Sequence, residues 1–155
     1  MNTDDLLKRL DTDGIDNLSV VYHDYSGRAC AKTIPKERFA SVLSHGVVFA
    51  RANLSFTVDD HQSADASFLA ETGDFFAVPD PHSYVRVPYL DATARVHAFM
   101  CTEDGADWEG CPRARLKAIV DAYAAQGLSV RVGLEPEFYL LEHIAENEYR
   151  PVDRD

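Results

Sequence analysis

The stretch Leu18–Pro35, LSVVYHDYSGRACAKTIP, decides the fold class. LSVVYHD and RACAKTI read as two strands, and YSG between them is a hairpin signal, with Gly27 free to take the turn conformation. Working backwards, TDDLLKRL (3–10) predicts a short helix. Thr3 can cap it, Asp4 and Asp5 suit its positive end, and Leu6, Leu7 and Leu10 form its apolar stripe. The DTDGIDN that follows has calcium-loop aspartates at 11, 13 and 16. Its Gly14 comes too early, however, and the twelfth position is Tyr22 rather than a bidentate glutamate. Working forwards, Pro35 opens the predicted helix PKERFASVLSH, with Phe39, Val42 and Leu43 on one face and Gly46 at its end. VVFARANLSFTV then reads as a strand, 58–67 as a polar loop, and DFFAVPDP and TARVHAFMCT as two further strands. Strands and helices are segregated, which predicts an α+β fold with a helix packed across a mixed sheet.

A polar, turn-rich connection, EDGADWEGC (103–111), marks a boundary. Beyond it, PRARLKAIVDAYAAQG predicts a helix, with Pro112 in the first turn, Gly127 at the end, and Leu116, Ile119, Val120 and Tyr123 on one stripe. LSVRVGLEPEFYLL follows as one long strand, and EHIAENEYRPVDRD as a turn leading into another segment. A helix, a strand and an unfinished hairpin cannot cover both faces of a sheet. The second unit is therefore expected to be the truncated opening of a larger domain.

The composition narrows the function classes. With 155 residues, 46% of them hydrophobic, the chain can build a packed core. Its net charge of −11 and lack of Lys/Arg clusters exclude the usual nucleic-acid binder. No apolar run approaches the roughly 20 residues of a membrane span, and the acidic start is no signal peptide, so a cytoplasmic protein is expected. Cys30, Cys101 and Cys111 form neither a CxxC pair nor a disulfide framework, and the six histidines stand at no metal-ligand spacing.

The chemistry gathers in VGLEPEFYLL (132–141). Strand alternation puts Val130, Val132, Leu134, Phe138 and Leu140 on one face and Glu135 and Glu137 together on the other, roughly 7 Å apart. A solvated face is one reading of this pair. The other is a site for Mg²⁺ or Mn²⁺, which favour carboxylate oxygens and keep positions open for phosphates. General acid–base work on sugars would need a neighbour that raises one carboxyl pKa, and none is visible. Pro136 removes a ladder donor and favours an edge or a bulge.

At this point the chain resembles the glutamine synthetase family. CPRARLKAIVDAYAAQGLSVRVGLEPEFYLL is similar to the family's entry into its catalytic domain, a Pro-Arg helix start followed by a strand bearing Glu-x-Glu-Phe. GDFFAVPDPHSYVRVPY is similar to its Pro-Asp-Pro segment, and YHDYSGRACAKTIP to its early hairpin. The resemblance runs in order over roughly residues 18 to 141. It implies a β-grasp-like N-terminal domain over 1–105 and the beginning of an antiparallel α+β catalytic domain over 106–155. It also implies an ATP-dependent ligase that joins ammonia or a larger amine to the γ-carboxylate of glutamate through an acyl-phosphate. By position, Glu135 and Glu137 would each ligate one of two Mg²⁺ or Mn²⁺ ions. No catalytic residue falls within the chain, most of the ATP site would lie past residue 155, and the 155 residues alone are expected to be inactive. The complete protein would be a homo-oligomer, and this chain a poor monomer.

The resemblance departs at GVVFARANLSF. The family carries an Asp-Gly-Ser-Ser stretch there, whose Asp helps bind ammonium, whereas this chain has Ala50 and Arg51. That points towards a larger amine. A free-standing, non-catalytic β-grasp-like interaction module is the alternative, with the two glutamates as plain surface charge.

Overall fold

A computed structural model describes residues 1–57, 59–63 and 65–153. Val58 and Ala64, within the predicted polar loop, lie outside the described residues, as do Arg154 and Asp155. The hairpin forms as read, β1 (Asn17–His23) pairing antiparallel with β2 (Ala29–Pro35). Its turn is organised by Asp24, whose carboxylate accepts from the backbone N–H of Ser26 and Arg28, the Ser26 hydroxyl and the Arg28 Nε, at 2.8–3.1 Å. Burial works against the charge on Asp24. The hydrogen bonds from Ser26 and Arg28 outweigh that cost and hold the carboxyl below its ordinary range.

A depressed folded-state pKa contributes stability that is present above the unfolded value of about 3.9 and is lost as pH falls through the folded value. Asp24→Asn is therefore expected to cost about 1–3 kcal/mol near neutral pH. It should cost nothing once the wild-type carboxyl is protonated. Urea unfolding midpoints of both proteins, followed from pH 7 downwards until the difference closes, check both expectations.

The N-terminal helix α1 (Thr3–Thr12) begins at the expected cap residue itself, so its cap falls one residue earlier. Asn2, not Thr3, accepts from the Asp5 N–H at 2.8 Å, and Asp5 accepts from the Asn2 N–H in return, a reciprocal box that satisfies two otherwise orphaned donors. The second helix, α2 (Phe39–His45), is preceded by a 3₁₀ turn at Lys36–Arg38 and ends at Gly46. That glycine has φ 78°, and a Cβ on it would stand 2.9 Å from the Ala77 carbonyl oxygen. Only glycine allows so close an approach to the neighbouring strand.

Four more strands complete the main sheet: β3 (Val47–Ala50), β4 (Asp74–Pro79), the short β5 (Val85–Arg86) and β6 (Thr93–Cys101). The order is β2-β1-β6-β4-β3, with β5 beside β6. The pair β1/β6 is parallel and the others antiparallel, so the sheet is mixed, as expected. Leu6 and Leu10 of α1 and Phe39, Val42 and Leu43 of α2 pack with Leu18, Val20 and Tyr22, Phe75 and Ala77, and Val96 and Met100. The sheet is strongly curled. Lys32 on edge strand β2 donates through Nζ to the Val48 carbonyl of the opposite edge strand β3 at 2.6 Å. Its ammonium also lies 4.6 Å from the centre of the Phe49 ring.

Three expectations need correction. VVFARANLSFTV is a strand only to Ala50, where the ladder with β4 ends opposite Asp74. The chain then coils into a 3₁₀ turn (Arg51–Ser55), because Leu54 is buried and Arg51 folds back to donate to the Asp74 carbonyl at 2.9 Å. The connection 103–111 is not merely solvated. Trp108 is buried and stacks on Phe75 with ring centres 5.9 Å apart, while Cys111 joins the same core. Finally, 128–140 is not a strand, because a strand exists only through a ladder of pairing bonds, and this segment meets the hairpin only at its end, where the Leu140 carbonyl accepts from the Val152 N–H at 3.0 Å.

Past the core come α3 (Pro112–Ala125) and a hairpin of β7 (Leu141–Ala145) and β8 (Glu148–Pro151). The stripe Leu116, Ile119, Val120 and Tyr123 exists but is exposed. Among the described residues no helix is long and apolar enough to cross a membrane.

Candidate functional site

The route from the core to the two glutamates starts at a built joint. Cys111 caps α3, its Sγ accepting from the N–H of Ala114 at 3.4 Å and of Met100 at 3.2 Å. Arg113, in the first turn, donates to Asp80 at 2.5 Å and lies 5.0 Å over the Phe99 ring. Asp80 is itself positioned by the sheet, since its backbone N–H donates to the His97 carbonyl at 2.7 Å. His97 stacks on His23 with ring centres 5.3 Å apart. Burial, followed by the Arg113 guanidinium, the His23 ring and Arg95, holds the His97 imidazole below its usual range against the pull of Asp80. These contacts orient the first turn of α3 on the sheet, so Pro79-Asp80-Pro81 and Pro112-Arg113 act as two halves of one clasp. The sequence signal was the pair of proline-flanked motifs. Their mutual contact was not readable.

Beyond α3 the chain reaches the β7/β8 hairpin without forming a strand over 128–140, and Glu135 and Glu137 stand on that segment, both exposed. Neither makes a hydrogen bond or ion pair with another described residue. Val130, Val132, Leu134, Phe138 and Leu140, the residues expected on the opposite face, are 52–87% exposed. Among the described residues no group of three or more His, Cys, Asp or Glu gathers to hold a metal ion. The donor type suits a hard divalent cation, but six or more oxygens are the rule for such ions and this segment offers two side chains. The two glutamates can contribute to a centre and cannot build one unaided.

The turn at Arg51–Ser55 is the other segment singled out by sequence. Ala50 is uncharged, and the nearest cation is held away from it. The Arg51 guanidinium sits 4.9 Å over the Trp108 ring and is tied to the Asp74 carbonyl.

Comparison with known proteins places both segments in a family frame. A sequence model of the glutamine synthetase N-terminal domain matches residues 1–112, and one of the glutamine synthetase catalytic domain matches 109–154. A glutamine synthetase of Rhizobium meliloti (strain 1021) is 32% identical over 128 residues, covering 83% of this chain and 27% of that protein. One of Rhizobium leguminosarum bv. phaseoli is 34% identical over 125 residues, covering 79% and 26%. The chain thus spans about a quarter of the length of these relatives. Among solved structures, a "novel glutamine synthase homolog" superposes with a TM-score of 0.65 at 30% identity, covering 72% of this chain and 27% of that one. A GmaS/ADP complex superposes with a TM-score of 0.63 at 25% identity, covering 78% and 26%.

Proposed function

Because the chain belongs to the glutamine synthetase family, we propose that it forms the N-terminal part of an ATP-dependent carboxylate–amine ligase. In this reading residues 1–105 are the β-grasp-like domain and 106–155 open the catalytic domain. The enzyme activates the γ-carboxylate of glutamate as an acyl-phosphate and transfers it to ammonia or a larger amine. The observation that carries the reading is continuity: one chain matches both family domains in order, and the clasp between Asp80 and Arg113 joins them. The ADP-bound relative supports a nucleotide as co-substrate.

Glu135 and Glu137 are proposed as ligands of Mg²⁺ or Mn²⁺, completed by groups from outside these 155 residues. A divalent cation held there supplies neutralisation of phosphate charge. The chain's own contribution is to deliver two carboxylates on a segment leading from the clasped helix. The exposed apolar stripe of α3 and the side chains of 132–140 call for cover, which favours assembly into a homo-oligomer.

The amine is read from the 51–55 turn. Recognition of ammonium is favoured by a nearby carboxylate, and position 50 is alanine, so an alkylamine is the preferred acceptor. ATP-dependent phosphate release by the complete ligase, with glutamate plus ammonium, methylamine or ethylamine, tests this. Higher kcat/KM for an alkylamine is expected. Ammonia used as well as any alkylamine would sink the acceptor assignment. No turnover with any amine would favour a non-catalytic module.

A further inference from the structure

β1 and β6 run parallel with Val21 opposite His97, so His23, two residues further along β1, shares the outward face of the sheet with it. The two imidazoles stack there with ring centres 5.3 Å apart and planes 28° apart. His23 is exposed and His97 half-buried. Charges from each neighbouring element surround the pair. Arg95 precedes His97 by two residues on the same face of β6, Arg113 comes from the first turn of α3, and Asp80 follows the end of β4. His82 and Lys117 stand with Asp80 around the adjoining groove, and Lys117 pairs with Asp121.

While both imidazoles are neutral, two guanidinium charges, those of Arg95 and Arg113, face the Asp80 carboxylate. Protonating both rings sets four positive charges around that carboxylate, which Arg113 already engages at 2.5 Å. Of the four, Arg113 alone is carried by an element outside the sheet, so the repulsion is relieved by moving α3.

The helix can respond because its seat is narrow. Its first turn holds the sheet through the Cys111 Sγ on the Met100 N–H, through Arg113 on Asp80 and Phe99, and through Ala114 against the core. One turn later a groove of about 350 Å³ opens between Phe99 on the sheet and Leu116, Lys117 and Val120 on the helix. The stripe beyond is exposed.

We propose that the His23–His97 pair is a pH latch: α3 is seated while the imidazoles are neutral, and their protonation lifts its first turn from the sheet. Burial, and then Arg113, His23 and Arg95, hold the His97 imidazole below its usual range, against the pull of Asp80. Lifting the helix takes Arg113 away, so His97 binds its proton more readily in the lifted state. Seating is therefore strongest above about pH 6.5, the ordinary histidine value, and weakens as pH falls through the seated value. The latch stands independently of the ligase reading, since every group in it belongs to this chain.

The test follows the full chain by NMR from pH 7.5 down to pH 5. Imidazole ¹³C shifts give the His97 midpoint. Seating is read from hydrogen exchange at Met100 and Ala114, whose N–H groups bond to the Cys111 Sγ. A His97 midpoint below the ordinary value is expected, with both protection factors falling about tenfold across it, the worth of one pKa unit. The Val20 amide, in the middle of β1, should stay protected. His97→Gln should keep Met100 and Ala114 protected at pH 5, His23→Gln should raise the His97 midpoint, and His82→Gln should leave the loss in place. Protection that stays constant, or a His97 midpoint at or above the ordinary value, would overturn the proposal. So would an equal loss in His97→Gln, a midpoint unmoved by His23→Gln, a loss abolished by His82→Gln, or a loss shared by Val20, which would mark global unfolding.

Discussion

Glu137→Ala, in a ligase that carries this chain, is expected to lower Mn²⁺-dependent turnover by orders of magnitude while leaving the fold untouched. The two halves of that expectation have separate origins. Removing a carboxylate that neutralises a catalytic cation costs both cation affinity and stabilisation of phosphoryl charge. The fold is indifferent because Glu137 is exposed and bonds to no other described residue. Metal affinity, read by Mn²⁺ electron paramagnetic resonance, should fall with activity, and Glu135→Ala should behave alike. Thermal unfolding should not move in either variant. Unchanged activity and unchanged Mn²⁺ affinity would show the pair to be a plain charged surface and would remove the metal assignment.

Trp108→Ala is expected to destabilise the N-terminal unit by about 3–5 kcal/mol, the usual cost of emptying a large aromatic site. Trp108 stacks on Phe75, meets the Phe68 ring edge-on at 5.4 Å and carries the Arg51 guanidinium over its face. Its loss opens a cavity under the sheet and releases the 51–55 turn at the same time. Gly110 marks how close the packing is, because a Cβ there would stand 2.7 Å from the indole. Trp108→Phe, keeping a ring but not the volume, should cost clearly less. Urea denaturation gives both values. A loss below about 1 kcal/mol, typical of a surface position, would mean that 103–111 is only a solvated connection.

The contrast between these two residues shows what a sequence pattern can single out. Glu135 and Glu137 stand out because two like charges in an apolar run violate the local pattern, and violations tend to mark function. Trp108 was not legible, because a single aromatic in a stretch of Asp, Glu and Gly carries no periodicity. Its role appears only when the loop folds back onto Phe75. Arg51 was legible only in part, for a related reason. Its charge was visible, but its destination over an indole from another segment was not. Tyr22 was read correctly as a strand residue, and only the tertiary packing set its ring edge-on to Phe49 and Phe75.

By itself the sequence determined the elements whose causes are local. These are the Leu18–Pro35 hairpin with its Gly27 turn, the α2 stripe ended by Gly46, the Pro112 start of α3 and the α+β class, all of them set by short-range sterics and burial periodicity. Tertiary structure alone decided the parallel pairing of β1 with β6, the curl that brings Lys32 to Val48, and the Asp80–Arg113 clasp. It decided also that 128–140 forms no strand. The physical reason is common to all four. A ladder hydrogen bond, an ion pair or a buried ring gains its free energy from a partner far away in the chain, and no window of neighbouring residues contains that partner.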